Sequence, residues 1–152
     1  GCGEGYTTKK IKRKYPNIVL KGLELEEEAL NIAREDAQGI RFVQGSIYNI
    51  SEENESFDVV MATEVLEHLE NPNKAIEESK RVAKTYCIFS VPYEPFWRIA
   101  NMARGRYLKD LGNTPGHINH WTKKGIRKQL EPHFEKVTIV NCYLWNMAIC
   151  KV

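Results

Sequence analysis

Short apolar runs alternate with helical patterns along nearly the whole chain, and this alternation restricts the fold more than any other feature of the sequence. "NIVLKGLEL", "IRFVQ", "FDVVMA" and "YCIFSVP" read as strands. "FDVVMA" is almost continuously apolar, as expected of a strand buried on both faces. Between them, "EEEALNIAREDAQG" sets Ala29, Leu30, Ala33 and Ala37 on one helical face, with acids in the first turn and Gly39 at the stop. "NPNKAIEESKRVAK" opens on Asn71 and Pro72, a capping residue followed by a first-turn proline. "TKKGIRKQLEP" reads as a helix capped by Thr122 and stopped at Pro132, and "YTTKKIKRKYP" as a short basic helix capped by Thr7 or Thr8 and ended at Pro16. The last two β-rich runs, "FEKVTIV" and "LWNMAICKV", are joined by a short polar connection and predict an antiparallel hairpin. Strands alternating with helices build an α/β fold with a doubly wound, mostly parallel sheet, here finished by that hairpin.

Composition narrows the class. With 152 residues, 42% hydrophobic and 28% charged, the chain fits one globular domain spanning 1–152. The net charge of +2 does not by itself call for a nucleic-acid partner. Cys2, Cys87, Cys142 and Cys150 form no CxxC pair, and they read as reduced thiols in a cytoplasmic protein. No apolar run approaches the roughly 18 residues of a membrane span.

The chemistry begins at "GCGEG". Glycines at 1, 3 and 5 let the backbone turn tightly against a ligand, and the helix that follows offers free N–H groups and a positive dipole end. Glu24 ends the next strand, nineteen positions after Gly5 (24 − 5), where a carboxylate accepts hydrogen bonds from ribose hydroxyls. A nicotinamide-binding GxGxxG loop requires Gly at position 6, where Tyr6 stands. Taken with "GLELE", "FVQGSI" and "FDVVMATEVLEHLENP", the loop resembles the class I S-adenosylmethionine-dependent methyltransferases, particularly the small-molecule branch with "LEHL" and "HxxxWT" signatures. The resemblance extends through "HINHWTKKGIRKQLEPHFEKV" and implies a Rossmann-like fold and a methyl-transferring enzyme that releases S-adenosylhomocysteine.

By that resemblance, Gly1, Gly3 and Gly5 pass under the methionine portion of the cofactor, Glu24 binds the ribose and Leu25 walls the adenine. Ser46 and Ile47 hold the adenine edge, and Thr63 and Glu64 face the methionine moiety. The family usually has an acid where Ser46 stands, and a neutral hydroxyl accepts less strongly. The fold it resembles also feeds the glycine loop from a central strand, so a strand upstream of Gly1 is expected.

Residues 93–121 show no clean period and occupy the place of a substrate cap, with Tyr93, Glu94, Phe96, Trp97 and Trp121 as its walls. In "GHINHW", His117 is the first candidate for a base and His120 the second. Neither has a Cys, Asp or Glu near it in sequence to complete a coordination set, so no metal is expected. From Arg98 to Lys128 there are eight Lys or Arg against Asp110 alone, which points to a small anionic acceptor first and RNA second. A methyltransferase-like module that binds without turnover, and a NAD-type enzyme on the same sheet, are the alternatives.

Overall fold

In the computed structural model, which describes residues 1–152, the glycine-rich start turns directly into helix α1 (Tyr6–Lys14). Its cap is Gly5, at a left-handed φ of 75°, whereas the expected caps Thr7 and Thr8 lie inside the helix. Position 5 needs glycine on two counts, because an added Cβ would also stand 2.8 Å from the Phe42 ring and 3.2 Å from Ala33. The strand expected over 17–25 forms only at β1 (Lys21–Glu24), since its parallel partner β2 (Arg41–Gln44) offers four residues, Lys21 opposite Arg41 through Glu24 opposite Gln44. Helix α2 (Glu27–Glu35) makes the crossover between them. Its buried face presents Leu30 and Ala33 to Ile40 and Phe42, with Cys2, Leu20 and Ala37 packed around that core. These elements make up one compact unit, Gly1–Ser51.

The second unit, Glu52–Val152, is built on a sheet ordered β3 (Phe57–Thr63), β4 (Ala83–Pro92), β6 (Trp145–Lys151), β5 (Lys136–Cys142). β3 and β4 run parallel, while β6 is antiparallel to both β4 and β5, so the closing hairpin forms as expected. Helix α3 (Pro72–Val82) joins β3 to β4 and packs on both, with Lys74 N–H donating to the Asn71 side chain at 3.2 Å. Helix α5 (Lys123–Leu130) packs on β5 and β6, and Gly125 N–H donates to the Thr122 hydroxyl at 3.1 Å. Ile76, Phe89, Val91, Ile126, Leu130 and Ala148 are buried at the centre of this unit.

Two expectations need correction here. β3 is not buried on both faces of its unit, because its one strand neighbour is β4 and the Val59 and Met61 row is 45% and 47% exposed. The segment that lacks a clean period contains a helix, α4 (Phe96–Ala103). Its pattern misleads because Asn101 is buried to 2% exposure while Phe96 and Ile99 stand half exposed. All four cysteines are free thiols, and no helix is long and apolar enough to cross a membrane.

The cap of α3 satisfies a backbone N–H that the helix itself leaves without a partner. Asn71→Ala is therefore expected to lower stability by about 1 kcal/mol, read as a lower midpoint at unchanged slope in urea unfolding.

Candidate functional site

In the first unit the site is organised by one carboxylate. Glu24 Oε2 accepts the N–H of Gly3 at 2.7 Å, and Oε1 accepts those of Leu25 at 2.8 Å and Glu26 at 3.3 Å. Burial pushes this carboxyl up, but the three backbone donors outweigh it and hold the group below its ordinary range. The glycine loop is fastened to β1 again by Cys2 N–H on Leu23 O at 2.9 Å and closed by Gly5 N–H on Cys2 O at 3.0 Å. Gly3 sits at φ 52°, and Gly1 is exposed at the loop's start. Leu25, next to the carboxylate, is 60% exposed. Gly45 N–H donates to Glu24 O at 2.9 Å, which brings the end of β2 alongside. There Ser46 and Ile47 form a tight turn, in which Ser46 O accepts from Asn49 N–H at 3.1 Å and Ser46 Oγ accepts from Tyr48 N–H at 3.2 Å. Gly3, Gly5, Glu24, Leu25, Ser46 and Ile47 thus gather at the carboxyl ends of two parallel strands, where α/β folds bind ligands.

In the second unit, Thr63 ends β3 half-buried and Glu64 follows at a left-handed φ of 56°. The Glu64 carboxylate is already engaged: Oε1 accepts the Ser90 hydroxyl at 2.7 Å, and Oε2 the Trp145 indole N–H at 2.8 Å. A 3-10 turn, Leu66–His68, comes next, and the irregular cap is stapled to it. Ile118 and Asn119 N–H both donate to Glu67 O, at 2.9 and 3.0 Å, and the Asn119 amide donates to Leu66 O at 3.2 Å and Leu69 O at 2.6 Å.

This folding changes what the two histidines can do. His117 is buried at 8% exposure, edge-on to His68 with ring centroids 4.8 Å apart and stacked on Trp97. Burial, then the neighbouring His68 and His120, push it down to about 4, which makes it a weak and inaccessible base. Its burial makes His117 the less suited of the two candidate bases. His120 is exposed, and its ring is oriented by Asn113: the amide Nδ2 donates to His117 O at 3.2 Å, so Oδ1 faces His120 Nε2 at 2.7 Å. Nε2 therefore carries the hydrogen, and the neutral ring keeps its lone pair on Nδ1.

Glu67 and His68 lie within 4.8 Å of His117 by their ligand-type atoms, a grouping the local sequence does not show. Burial, with the Glu64 charge adding to it, pushes the Glu67 carboxyl well above the usual range, against a backbone N–H of its own. Two of the cap arginines expected to attract an anion are occupied at home. Arg98 donates to Leu111 O at 2.9 Å and Asp110 O at 3.1 Å, and Arg104 to Asn101 Oδ1 at 2.7 Å. Arg98 still lines a cleft of about 530 Å³ with Lys109, Asp110, Leu111, Asn113 and Pro115.

The model of a methyltransferase domain matches residues 1–90, more than half of the chain. The chain belongs to the methyltransferase-domain family. It is 35% identical over 89 residues to the ubiquinone biosynthesis O-methyltransferase of Hahella chejuensis, covering 55% of this chain and 37% of that protein. It is 34% identical over 89 residues to the norajmaline N-methyltransferase of Rauvolfia serpentina, covering 55% and 30%. The chain thus spans about a third of the length of the curated relatives it matches. In fold it resembles a SAM-dependent methyltransferase from Aquifex aeolicus, with a TM-score of 0.77 at 17% identity over 100% of this chain and 79% of the other. It also resembles the magnesium protoporphyrin IX methyltransferase of Synechocystis solved with bound SAH, with a TM-score of 0.73 at 17% identity over 99% and 71%.

Within this methyltransferase domain the family match includes the glycine loop, Glu24, Ser46, Thr63 and Glu64, whereas His117 and His120 lie beyond it. Sequence reasoning passed over Glu67, which the "LEHL" signature contains, and Asn113, which no motif marks. His117 provides a measurable check on the cap. A histidine whose folded pKa is depressed contributes stability above its unfolded value near 6.5, and loses it as pH falls toward about 4. In chelator-treated protein the His117 ring is expected to stay neutral at pH 5 by NMR. Stability should fall below pH 6.5 by at most about 1.4 kcal/mol per pH unit from this group; a ring titrating near 6.5 would contradict its burial.

Proposed function

We propose that this methyltransferase domain binds S-adenosylmethionine and serves methyl transfer to an oxygen, nitrogen or carbon nucleophile of a small anionic acceptor. The observation that carries the reading is the ionised Glu24 carboxylate, held by Gly3 and Leu25 beside an exposed apolar residue at the carboxyl ends of β1 and β2. When bound, the cofactor supplies a methyl on a sulfonium, whose C–S electron pair returns to sulfur as the acceptor's pair forms the new bond. Glu24 Oε2 takes one N–H and keeps a lone pair for a ribose hydroxyl, while Oε1 accepts a second by releasing the long contact from Glu26. Leu25 and Ile47 give the adenine apolar contact. Ser46 accepts only from Tyr48 N–H, which leaves a lone pair and its own hydrogen for the adenine edge.

On the acceptor side, His120 Nδ1 takes a proton from nucleophiles that must lose one, and its ring is already oriented by Asn113, which also lines the basic cleft. Lys109, with Arg98 beside it, favours an anionic group there. The names of the relatives, a ubiquinone biosynthesis O-methyltransferase and a norajmaline N-methyltransferase, support a small molecule ahead of RNA as the acceptor. Positioning and exclusion of water then account for most of the rate, since the leaving group departs neutral.

Calorimetric titration tests the reading. S-adenosylhomocysteine is expected to bind and NAD not to bind, and Glu24→Ala should weaken S-adenosylhomocysteine by about 1.5–3 kcal/mol, the range for a charged hydrogen-bond acceptor. Unchanged affinity in that variant would mean that Glu24 does not hold the ribose.

A further inference from the structure

The second unit contains three ligand-type side chains that methyl transfer leaves unused. Glu67 is 1% exposed, and neither of its carboxylate oxygens has a hydrogen-bond partner. His117 Nδ1 is buried and likewise unpartnered. His68 Nδ1 lies 3.0 Å from Gly116 O, and because a carbonyl only accepts, that nitrogen carries the hydrogen and the neutral ring presents its lone pair at Nε2. One ligand atom from each residue lies within 4.8 Å of the other two.

Burial and the neighbouring Glu64 carboxyl leave a proton on Glu67 when no ion is bound, and a cation there would take that proton's place. Neither imidazole beside Glu67 is hydrogen-bonded to its carboxyl, and the buried Nδ1 of His117 is left without a donor. Acceptor atoms that converge without a hydrogen between them are what a cation requires. We propose that Glu67, His68 and His117 form a binding site for a zinc-type divalent cation, with the remaining coordination position open to water or to an oxygen of a bound molecule.

The donor set supports that ion. Two imidazoles and one carboxylate suit zinc and its neighbours in the first transition series rather than magnesium or calcium, which take oxygen ligands. Ligand atoms around a tetrahedral ion with bonds of about 2.0–2.2 Å stand about 3.3–3.6 Å apart, so an ion would draw the three residues in from their present spacing of up to 4.8 Å. The backbone is already set for it: the bonds from Ile118, Asn119 and His68 hold the cap loop against the turn that carries Glu67. His68 is exposed, which gives the ion a way in, and the His68 bond to Gly116 O orients the ring as an outer-shell partner does in metal sites. The site stands independently of the methyl-transfer reading, because its residues and its test involve neither S-adenosylmethionine nor an acceptor.

Cobalt(II) is the probe, because its visible absorption reports nitrogen and oxygen ligation directly. Chelator-treated, dialysed full chain is expected to take up one cobalt per chain by equilibrium dialysis and elemental analysis, to develop d–d absorption unlike that of the aqueous ion, and to release cobalt to added zinc. Glu67→Gln, His68→Ala and His117→Asn should each weaken the ion at least about tenfold, whereas His133→Ala, remote in the sequence from all three, should not. His68→Ala removes an exposed ring and is expected to fold even if a change at buried Glu67 does not. Absence of one-to-one uptake, or equal affinity in folded His68→Ala and the unaltered chain, would overturn the site.

Discussion

The first unit depends on the Glu24 carboxylate. A glycine-rich loop has high backbone entropy, and this one is held in shape because a single side chain collects the N–H of Gly3 from the loop and those of Leu25 and Glu26 from the start of the next turn. The backbone of the same residue accepts Gly45 N–H, so the end of β2 is held to it as well. One position thereby joins the loop, the strand end and the Ser46 turn. Gly5 completes the arrangement by passing where a side chain would strike Phe42.

The second unit solves a different problem. Residues 93–121 have little regular structure, and their backbone polar groups need partners. Backbone bonds supply most of them, and the side chains of three asparagines clamp the segment further. Asn101 donates to Gly112 O and Thr114 Oγ1, Asn113 bridges His117 O and His120, and Asn119 holds Leu66 O and Leu69 O on the turn after β3. An amide carries donors and an acceptor at one end of a short stem, which suits it to clamping loops. The clamps decide which histidine is available: Asn113 leaves His120 at the surface with a defined lone pair, while the staples to Glu67 O bury His117.

Much of this was legible in the chain. The period of α2, the Asn71–Pro72 start of α3, the Thr122 cap of α5 and the closing hairpin follow from local rules, and they stand where those rules put them. So do the glycine loop and Glu24, because a turn that needs glycine and an acid at a strand end are written in single residues. Local rules failed where a partner elsewhere in the chain decided the outcome. Thr7 and Thr8 are competent caps, but Gly5 starts the helix earlier through its approach to Phe42. α4 escaped notice because its buried residue is Asn101, whose partners Gly112 and Thr114 lie in a later loop.

The sequence by itself determined the α/β alternation, the family, the glycine loop and the acid at the end of β1, since periodicity, capping and turn chemistry act over a few residues. Only the tertiary structure decided the surroundings of the histidines and of Glu67. Burial and electrostatic environment are sums over neighbours distant in sequence, and His117 meets Glu67 and His68 only after the cap has folded back across about fifty positions (117 − 67). The same imidazole that reads as a base in "GHINHW" becomes a buried, neutral nitrogen facing a buried carboxyl, and no local spacing encodes that difference.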